Sequence, residues 1–530
     1  MLISQRLKKI PFWTLGAILY GISWPLPWNI NISFLAWIAF IFLFISLENN
    51  HQFFRSIGLV WMFSLLAYTI SSGWFLGIPK NKELIIIGAI SESLNLVIPF
   101  MIAFPVRKYV GFSQMLYVLP FIFVVCEWSY SFIEHNLNYL LIAHSQTENT
   151  WLIQYIDVFG YLSITFWVML FNVLVYSILV RANYRVLSVN FIRKVVVVSF
   201  IMVFLPLVYA FYKQYHLKDK SAETIRVSLL HTDFNLLFST QEQKIKRLER
   251  IVEITDSADY YNKLKKVETD LYVWFEGAIP YGNNYKIQQF VRSAVTDWNT
   301  PLLSGCDHVE PFYNTSLMQS VNRVILFAAD SSQSLQYYDK NILTPGWESF
   351  PYISWLHQLG WKFMIESEFY KKGNGIRLFE FEDQGKRNIK IGTPICFEQS
   401  YSTLWNQMSL LGADFFIQLS FETWFGETYF QKQMAYITRL RAVETRHSVA
   451  RCSNGGLTMF INSFGQVYDC IDNSETMLEN SIDCSNEITF FTRHTNLFPV
   501  SCLIALCFYS VYIVLRKQPF RNRIFKIFPW

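Results

Sequence analysis

Charge is scarce in this chain. Only 16% of its 530 residues are Asp, Glu, Lys or Arg, while 52% are hydrophobic and 18% aromatic. Those proportions exclude an ordinary soluble protein of this length. Cysteine is sparse as well: the eight present form no CxxC pair, and the nine histidines follow no metal-ligand spacing, which argues against a structural zinc site. Internal repeats and low-complexity tracts are lacking, so a solenoid or a disordered interaction tail is excluded. The net charge of +5 reflects where the basic residues sit and is no mark of nucleic-acid binding.

Long apolar runs are abundant instead. Stretches of roughly 20 apolar residues, the length that spans a bilayer core, lie near 10–28, 30–47, 56–76, 84–104, 112–132, 158–181 and 195–214, with another near 495–515. The first two are joined tightly around Pro25-Leu26-Pro27. A lone signal peptide explains only the first run. The expected organisation is a transmembrane part of about seven helices over 1–217, a polar domain over 218–492, and a final span with a basic tail over 493–530. Arg6, Lys8, Lys9, Arg55, Arg107, Lys108, Arg181, Arg185, Arg193 and Lys194 collect on one side of these spans, together with Arg516, Lys517, Arg521, Arg523 and Lys526. The opposite short loops hold Lys80 and Lys82, and 133–155 has no Lys or Arg. The positive-inside rule then places both termini in the cytoplasm and the polar domain outside it.

The polar domain alternates strand and helix patterns. Short β-branched or apolar runs at Ile225–Leu230, Leu271–Phe275, Asn322–Ala328, Ile389–Ile395, Asp414–Leu419 and Leu457–Asn462 read as buried strands. Between the first two, 239–258 has helical periodicity, with Ser239 and Gln241 to Gln243 suiting its start. Strands buried on both faces with helices between them indicate an α/β sandwich. Five cysteines fall here: Cys306, Cys396, Cys452, Cys470 and Cys484. An odd number outside the cytoplasm leaves at least one thiol unpaired, and Cys470 with Cys484 is the candidate disulfide.

Three polar residues end apolar runs or follow them closely: Glu276 in Val273-Trp274-Phe275-Glu276, Lys340 in Tyr338-Asp339-Lys340, and Cys396 in Ile395-Cys396-Phe397-Glu398. Each alone has a bland reading, as a solvated glutamate, a surface lysine and a small buried hydrophobe. Together they are a base, a cation for a developing oxyanion, and a nucleophile, enough for acyl transfer through a thioester. In this order and spacing the segments resemble the carbon–nitrogen hydrolase (nitrilase) superfamily, with its Glu–Lys–Cys triad, and within it a membrane-embedded acyltransferase branch. Further segments fit: Tyr338 to Glu348, Gly412-Ala413-Asp414-Phe415, Trp424-Phe425-Gly426, Arg439 to Glu444 and Ser453-Asn454-Gly455-Gly456. In the membrane part Trp74, Glu127, Ser145-Gln146 and Asn172 stand where family residues are expected. Phe275, Gly346-Trp347, Phe397, Phe421-Glu422 and Leu230-His231-Thr232-Asp233 depart from the usual pattern, and the Arg expected shortly after Glu127 is missing.

The resemblance implies a polytopic α-helical membrane domain joined to an αββα nitrilase-like sandwich, catalytic residues Glu276, Lys340 and Cys396, and supporting residues Glu348, Phe397 and Glu398. It implies substrate contacts at Trp347, Trp424 and Phe425, although for Trp424 and Phe425 core packing is an equal reading. The expected reaction moves an acyl chain from a phospholipid, phosphatidylethanolamine being the expected donor, to the α-amino group of diacylglyceryl-cysteine in apolipoproteins. No cofactor, metal or nucleic acid is expected, and the chain is expected to act as a monomer in a bacterial inner membrane, its catalytic domain periplasmic. A membrane-tethered amidase and an inactive lipid-binding scaffold are the alternatives. Extracting a chain of about 15 methylenes from a bilayer costs roughly 12 kcal/mol at about 0.8 kcal/mol per CH₂, so spans flanking the domain favour lipid substrates. The aromatic stretch Trp347–Trp361 has two readings, an interfacial lid or an amphipathic core segment. Glu92, mid-span, reads first as a hydrogen-bonding strut between helices and second as functional.

Overall fold

The computed structural model describes residues 11–27, 30–73, 82–134, 138, 140–183, 189–218, 223–234, 239–311, 318–330, 332–350, 352, 355, 358–360, 369–426 and 428–516, the side chains of 82–89, 91, 180–183, 191, 192, 195, 424 and 516 excepted. Before the first strand run α1 (Phe12–Ile22), α2 (Ala36–Glu48), α3 (Phe53–Ser71), α4 (Lys82–Val110), α5 (Phe112–Tyr130), the single turn α6 (Ile156–Phe159), α7 (Leu162–Asn183) and α8 (Val189–Lys218). Among the described residues five helical segments are long and apolar enough to cross a membrane: Phe53–Ser71, Phe112–Tyr130, Leu162–Leu179, Val196–His216 and, at the other end, Leu497–Leu515.

The first two expected spans are shorter than the apolar runs suggested. With 11 and 13 residues, α1 and α2 rise about 16 and 20 Å at ~1.5 Å per residue, well below the ~30 Å of a hydrocarbon core. Prolines 25 and 27 lie just beyond the end of α1, and α2 starts only after a 3₁₀ turn at Ser33–Leu35. Both are nonetheless built into the apolar cluster of the spans, where Tyr20, Phe40, Phe44 and Phe63 are fully buried. Polar side chains pin these helices together. Asn172 donates to the Ala36 carbonyl (2.9 Å) and accepts from the Phe40 N–H (3.0 Å). Gln146 accepts from Trp37 (2.8 Å) and donates to the Ser33 carbonyl (2.9 Å). Glu127 accepts from the Ile142 N–H (3.0 Å) and Thr165 (2.6 Å). Glu92 accepts from Asn95 (2.7 Å) and Tyr130 (3.1 Å), the strut reading. Trp74 lies outside the described residues.

The polar domain holds two six-stranded sheets among the described residues. The first has the order β12-β1-β2-β3-β4-β5, from β1 (Thr224–His231), β2 (Leu271–Ile279), β3 (Leu302–Pro311), β4 (Met318–Phe327), β5 (Gln336–Asp339) and β12 (Thr476–Asp483). The second runs β11-β10-β9-β8-β7-β6, from β6 (Phe379–Glu382), β7 (Asn388–Gly392), β8 (Phe415–Phe421), β9 (Val449–Asn454), β10 (Thr458–Ile461) and β11 (Val467–Ile471). In each sheet three central strands are parallel (β1-β2-β3 and β7-β8-β9), with antiparallel neighbours outside them. A single hydrophobic cluster, including Val273, Phe275, Leu419 and Cys452, joins the two sheets. Helices α9 (Gln241–Lys265) and α10 (Tyr285–Trp298) belong to the first sheet, and α11 (Ser402–Leu410) and α12 (Phe430–Thr445) to the second. This is the expected αββα sandwich. The start of α9 is a reciprocal cap: Thr240 Oγ1 accepts from the Gln243 N–H (3.3 Å), and Gln243 Oε1 accepts from the Thr240 N–H (2.9 Å).

Helix α12 faces both ways. Ala435 and Ala442 pack in the cluster of the sheets, while Met434, Ile437, Leu440 and Val443 pack in that of the spans. Below it, α13 (Phe490–Arg493) leads into the last span, α14 (Leu497–Arg516). The candidate disulfide is absent: Cys470 is exposed on β11, Cys484 is half-buried beyond β12, and both are free thiols.

Candidate active site

Glu276, Lys340 and Cys396 come from three different strands or the turns after them. Glu276 sits in β2 where the pairing with β3 shifts register, between Trp274 and Ile279. Gly277 beside it takes a left-handed φ of +72°, and Gly305 of β3 approaches so closely that a Cβ there would lie 2.5 Å from the Glu276 Cα. The bulge turns the carboxylate out of the strand's regular alternation. Lys340 directly follows β5, its N–H bonded to the Asn322 carbonyl of β4 (2.9 Å). Cys396 comes four residues after β7, beyond a bridge from Ile395 to Leu419 of β8, and opens a 3₁₀ turn over Cys396–Ser400. Its φ is +48°, a left-handed conformation that costs a non-glycine residue roughly 1–2 kcal/mol. The surrounding turn holds it there.

The turn is held by Glu398. Its carboxylate is fully buried and accepts from the Ile395 N–H (2.8 Å), the Asn341 N–H (2.7 Å), the Ile342 N–H (3.0 Å) and the Tyr338 hydroxyl (3.0 Å). One side chain therefore ties the cysteine turn to the loop that carries Lys340. Burial pushes the Glu398 carboxyl up to about 7, against the pull of those N–H groups and Lys340.

Lys340 is buried between two carboxylates, with Nζ 2.8 Å from Glu348 Oε2 and 3.5 Å from Glu276 Oε1. Asn322 Nδ2 bridges the same pair, donating to Glu276 (2.7 Å) and Glu348 (3.0 Å), and the Thr344 N–H fixes the second Glu348 oxygen (2.8 Å). Burial works against the Lys340 charge, but Glu348 and Glu276 outweigh it and hold the ammonium well above its ordinary range. For Glu348, Lys340 likewise overcomes burial and keeps the carboxyl low. For Glu276 burial wins. With Glu348 adding to it, burial holds that carboxyl above the ordinary range, against Lys340, Asn322 and the adjoining Cys396 thiol. Its Oε2 is buried with no hydrogen-bond partner. The Cys396 thiol is pushed up by burial first and Glu276 second, with Lys340 opposing. A neutral thiol therefore rests beside a carboxylate with a free oxygen and a fixed cation, the arrangement of a base-activated nucleophile.

The other expected residues are distributed more widely. Phe397 is buried with its ring against Tyr401 (5.4 Å). Trp347 lines a cavity of about 220 Å³ together with Glu276, Glu348 and Asn322. Phe425 does not line it: its ring lies tilted on Phe430, centroids 4.0 Å apart, and packs with the spans. The Trp424 side chain and positions 351, 353, 354, 356, 357 and 361 of the aromatic stretch lie outside the described residues. Two contributors were named in the sequence only as a strand position and a departure from the family pattern, and not as site residues. Asn322 lies within β4 just before its apolar half, and buried amides of that kind signal a fixed network. Glu422 lies near enough to add to the rise of the Cys396 thiol, accepts from Ser420 (3.0 Å), and pairs with the fully buried Arg451.

Comparison with known proteins agrees with this architecture. Residues 16–174 match the family described as apolipoprotein N-acyltransferase N-terminal domain, and residues 239–488 match carbon–nitrogen hydrolase. Apolipoprotein N-acyltransferase of Chlorobaculum tepidum is 29% identical over 94% of this chain and 96% of that protein. Apolipoprotein N-acyltransferase 1 of Treponema denticola is 25% identical (96% and 97% covered), and the Geobacter metallireducens enzyme is 24% identical (95% of each). With one family on the helical part, the other on the sandwich, and relatives aligned nearly end to end, the chain is similar to apolipoprotein N-acyltransferases over almost its whole length.

Proposed function

We propose that the chain transfers an acyl group from a phospholipid, by way of a Cys396 thioester, to the α-amino group of diacylglyceryl-cysteine at the N-terminus of apolipoproteins. The observation that carries the reading is the buried Glu276–Lys340–Glu348 network beside Cys396, in a sandwich flanked by apolar helices on both sides in sequence.

In the first half-reaction Glu276 takes the thiol proton as Cys396 Sγ attacks the acyl ester carbonyl. Lys340 and the backbone N–H of Phe397 receive the developing oxyanion. The ester C–O bond breaks, and the proton held by Glu276 goes to the departing alkoxide, which leaves as lysophospholipid. In the second, the lipoprotein amine attacks the thioester, Glu276 accepts its proton, the C–S bond breaks, and the proton returns to Cys396. Glu348 and Asn322 keep Lys340 charged and aimed, and Glu398 sets the two loops in register. Phosphatidylethanolamine is the proposed donor. The enzyme is proposed to work as a monomer in the bacterial inner membrane, with both termini cytoplasmic and the sandwich periplasmic. An amidase acting on a small soluble amide has no use for the spans, and an inactive scaffold has no use for a strained, base-paired cysteine.

Mass spectrometry of the full-length protein incubated with phosphatidylethanolamine and no acceptor tests the reading. A hydroxylamine-sensitive acyl adduct on the Cys396 peptide is expected, lost on adding a diacylglyceryl-cysteine peptide. Folded protein that never acquires the adduct would sink the phospholipid-donor reading.

A further inference from the structure

The cavity that opens onto Glu276 carries charges that the triad does not use. Lys244 and Arg247 line it from α9 and Asp307 lines it from β3. Three positions apart, the two cations share one face of the helix. Lys244 Nζ lies 5.4 Å from the Tyr281 ring and the Arg247 guanidinium 6.0 Å from the Phe234 ring, with one further bond from Arg247 to Ser239. Among the described residues neither cation forms a salt bridge, and neither does Asp307.

Asp307 stands beside the catalytic groups. It is the register partner of Asn322 across β3 and β4, so the two side chains share a face of the sheet, and Asn322 is the amide that bonds both Glu276 and Glu348. Its Oδ1 lies 3.4 Å from where a Cβ on Gly277 would be, one residue from Glu276. Arg323, the nearest cation along β4, is already paired with Glu310 and Asp339. Asp307 is exposed where it lines the cavity, and its charge interacts with that of Lys244.

We infer that this cavity is a headgroup subsite for a zwitterionic aminoalkyl phosphodiester, Lys244 and Arg247 taking the phosphate and Asp307 the ammonium. The inference rests on the phospholipid-donor reading above and deepens it. Lys244 and Arg247 are half-buried and Asp307 exposed, so these charges stay available, with no salt bridge among the described residues, to a ligand that carries both signs itself. A purely anionic headgroup leaves Asp307 facing negative charge, and a quaternary ammonium cannot donate a hydrogen bond to it. At about 220 Å³ the cavity is below the ~300 Å³ of typical small-molecule sites, which suits a headgroup and excludes acyl chains.

The test is single-turnover acylation of Cys396 in the full-length protein in mixed micelles, with phosphatidylethanolamine or phosphatidylglycerol as donor. Wild type is expected to favour phosphatidylethanolamine, and Asp307→Asn to lower that preference about tenfold, the scale of one charge-assisted hydrogen bond. Lys244→Ala and Arg247→Ala are expected to slow both donors in parallel, because both carry the phosphate. A preference untouched by Asp307→Asn overturns the inference. Calorimetry with soluble glycerophosphoethanolamine separates the two readings: binding that depends on Asp307 is expected even where no lipid acylates the protein, and that pattern would sink only the acyl-donor reading. Acylation without any dependence on Asp307 would sink only the subsite.

Discussion

At the scale of the residue, the site depends on Glu398 as much as on the nucleophile. Both carboxylate oxygens accept from donors on two separate loops, so Glu398→Gln turns one acceptor into an amide facing N–H groups. We expect kcat to fall by about 10²-fold, and stability to fall by roughly 1–3 kcal/mol for each donor left unmet, read by acylation kinetics and thermal melting in detergent. Cys396 offers a second check. Because its φ is +48°, Cys396→Gly should melt higher than Cys396→Ala by about 1 kcal/mol in stability, although both are inactive. The acid limb of the reaction follows from Glu276. Its carboxyl is held above the ordinary range by burial, and only the ionised form accepts a proton. Acylation is therefore expected to be lost as pH falls through a value above the usual carboxylate pKa, and an acid limb at or below that value in a pH–rate profile would contradict the assignment.

At the scale of the element, the β2 bulge is what delivers Glu276. Gly305 allows β3 to pass against Glu276 and Gly277 with no side chain between, and a Cβ would meet backbone atoms at 2.5 Å. Gly305→Ala is expected to cost at least 2 kcal/mol in overpacking and to lower activity more than most surface changes, measured by melting and adduct formation. Much of this level was legible in advance. The apolar runs at Ile225–Leu230, Asn322–Ala328 and Asp414–Leu419 fall within or overlap β1, β4 and β8. The expected strand at Leu271–Phe275 runs on through Glu276 to Ile279, because the register shift lets pairing continue beyond it. Strands β3 and β9 gave no such signal. Half of β3 faces outward, and β9 buries Arg451, Ser453 and Asn454, of which Arg451 pairs with Glu422 and Asn454 with Thr232, both on other segments. The short α1 and α2 were read as full spans because composition reports apolarity, while the breaks at Pro25 and Pro27 decide length.

At the scale of the whole molecule, the sandwich is fastened to the spans through buried polar contacts as well as apolar packing. Arg446, just past α12, is fully buried with its Nε 3.0 Å from Asp157. Lys213 near the end of α8 reaches the same carboxylate at 3.1 Å, and Gln433 donates to the Ser71 carbonyl at the end of α3 (2.8 Å). Asp157→Asn leaves the buried Arg446 without its counter-charge, while Lys213 keeps Glu487 at 3.7 Å, and a loss of about 3–5 kcal/mol is expected, seen as a lower melting temperature. Mass spectrometry of acylation at a permissive temperature should still find the Cys396 adduct, because none of these groups touches the reacting atoms.

The sequence by itself determined the class of this protein: apolar runs bury or cross wherever they fall, and reactive side chains at the ends of buried strands mark a candidate site. It also determined which residues were candidates, since Glu276, Lys340, Cys396, Glu348 and Glu398 carry their chemistry as residue types. Only the tertiary structure decided their states. Desolvation and the distances to Lys340 set one glutamate low and its neighbour high, and the approach of two loops gave Glu398 its donors. Lys340 and Glu348 are only 8 residues apart, but Lys340 meets Glu276 across a separation of 64 and Tyr338 meets Glu398 across 60, and local pattern carries no information about such contacts.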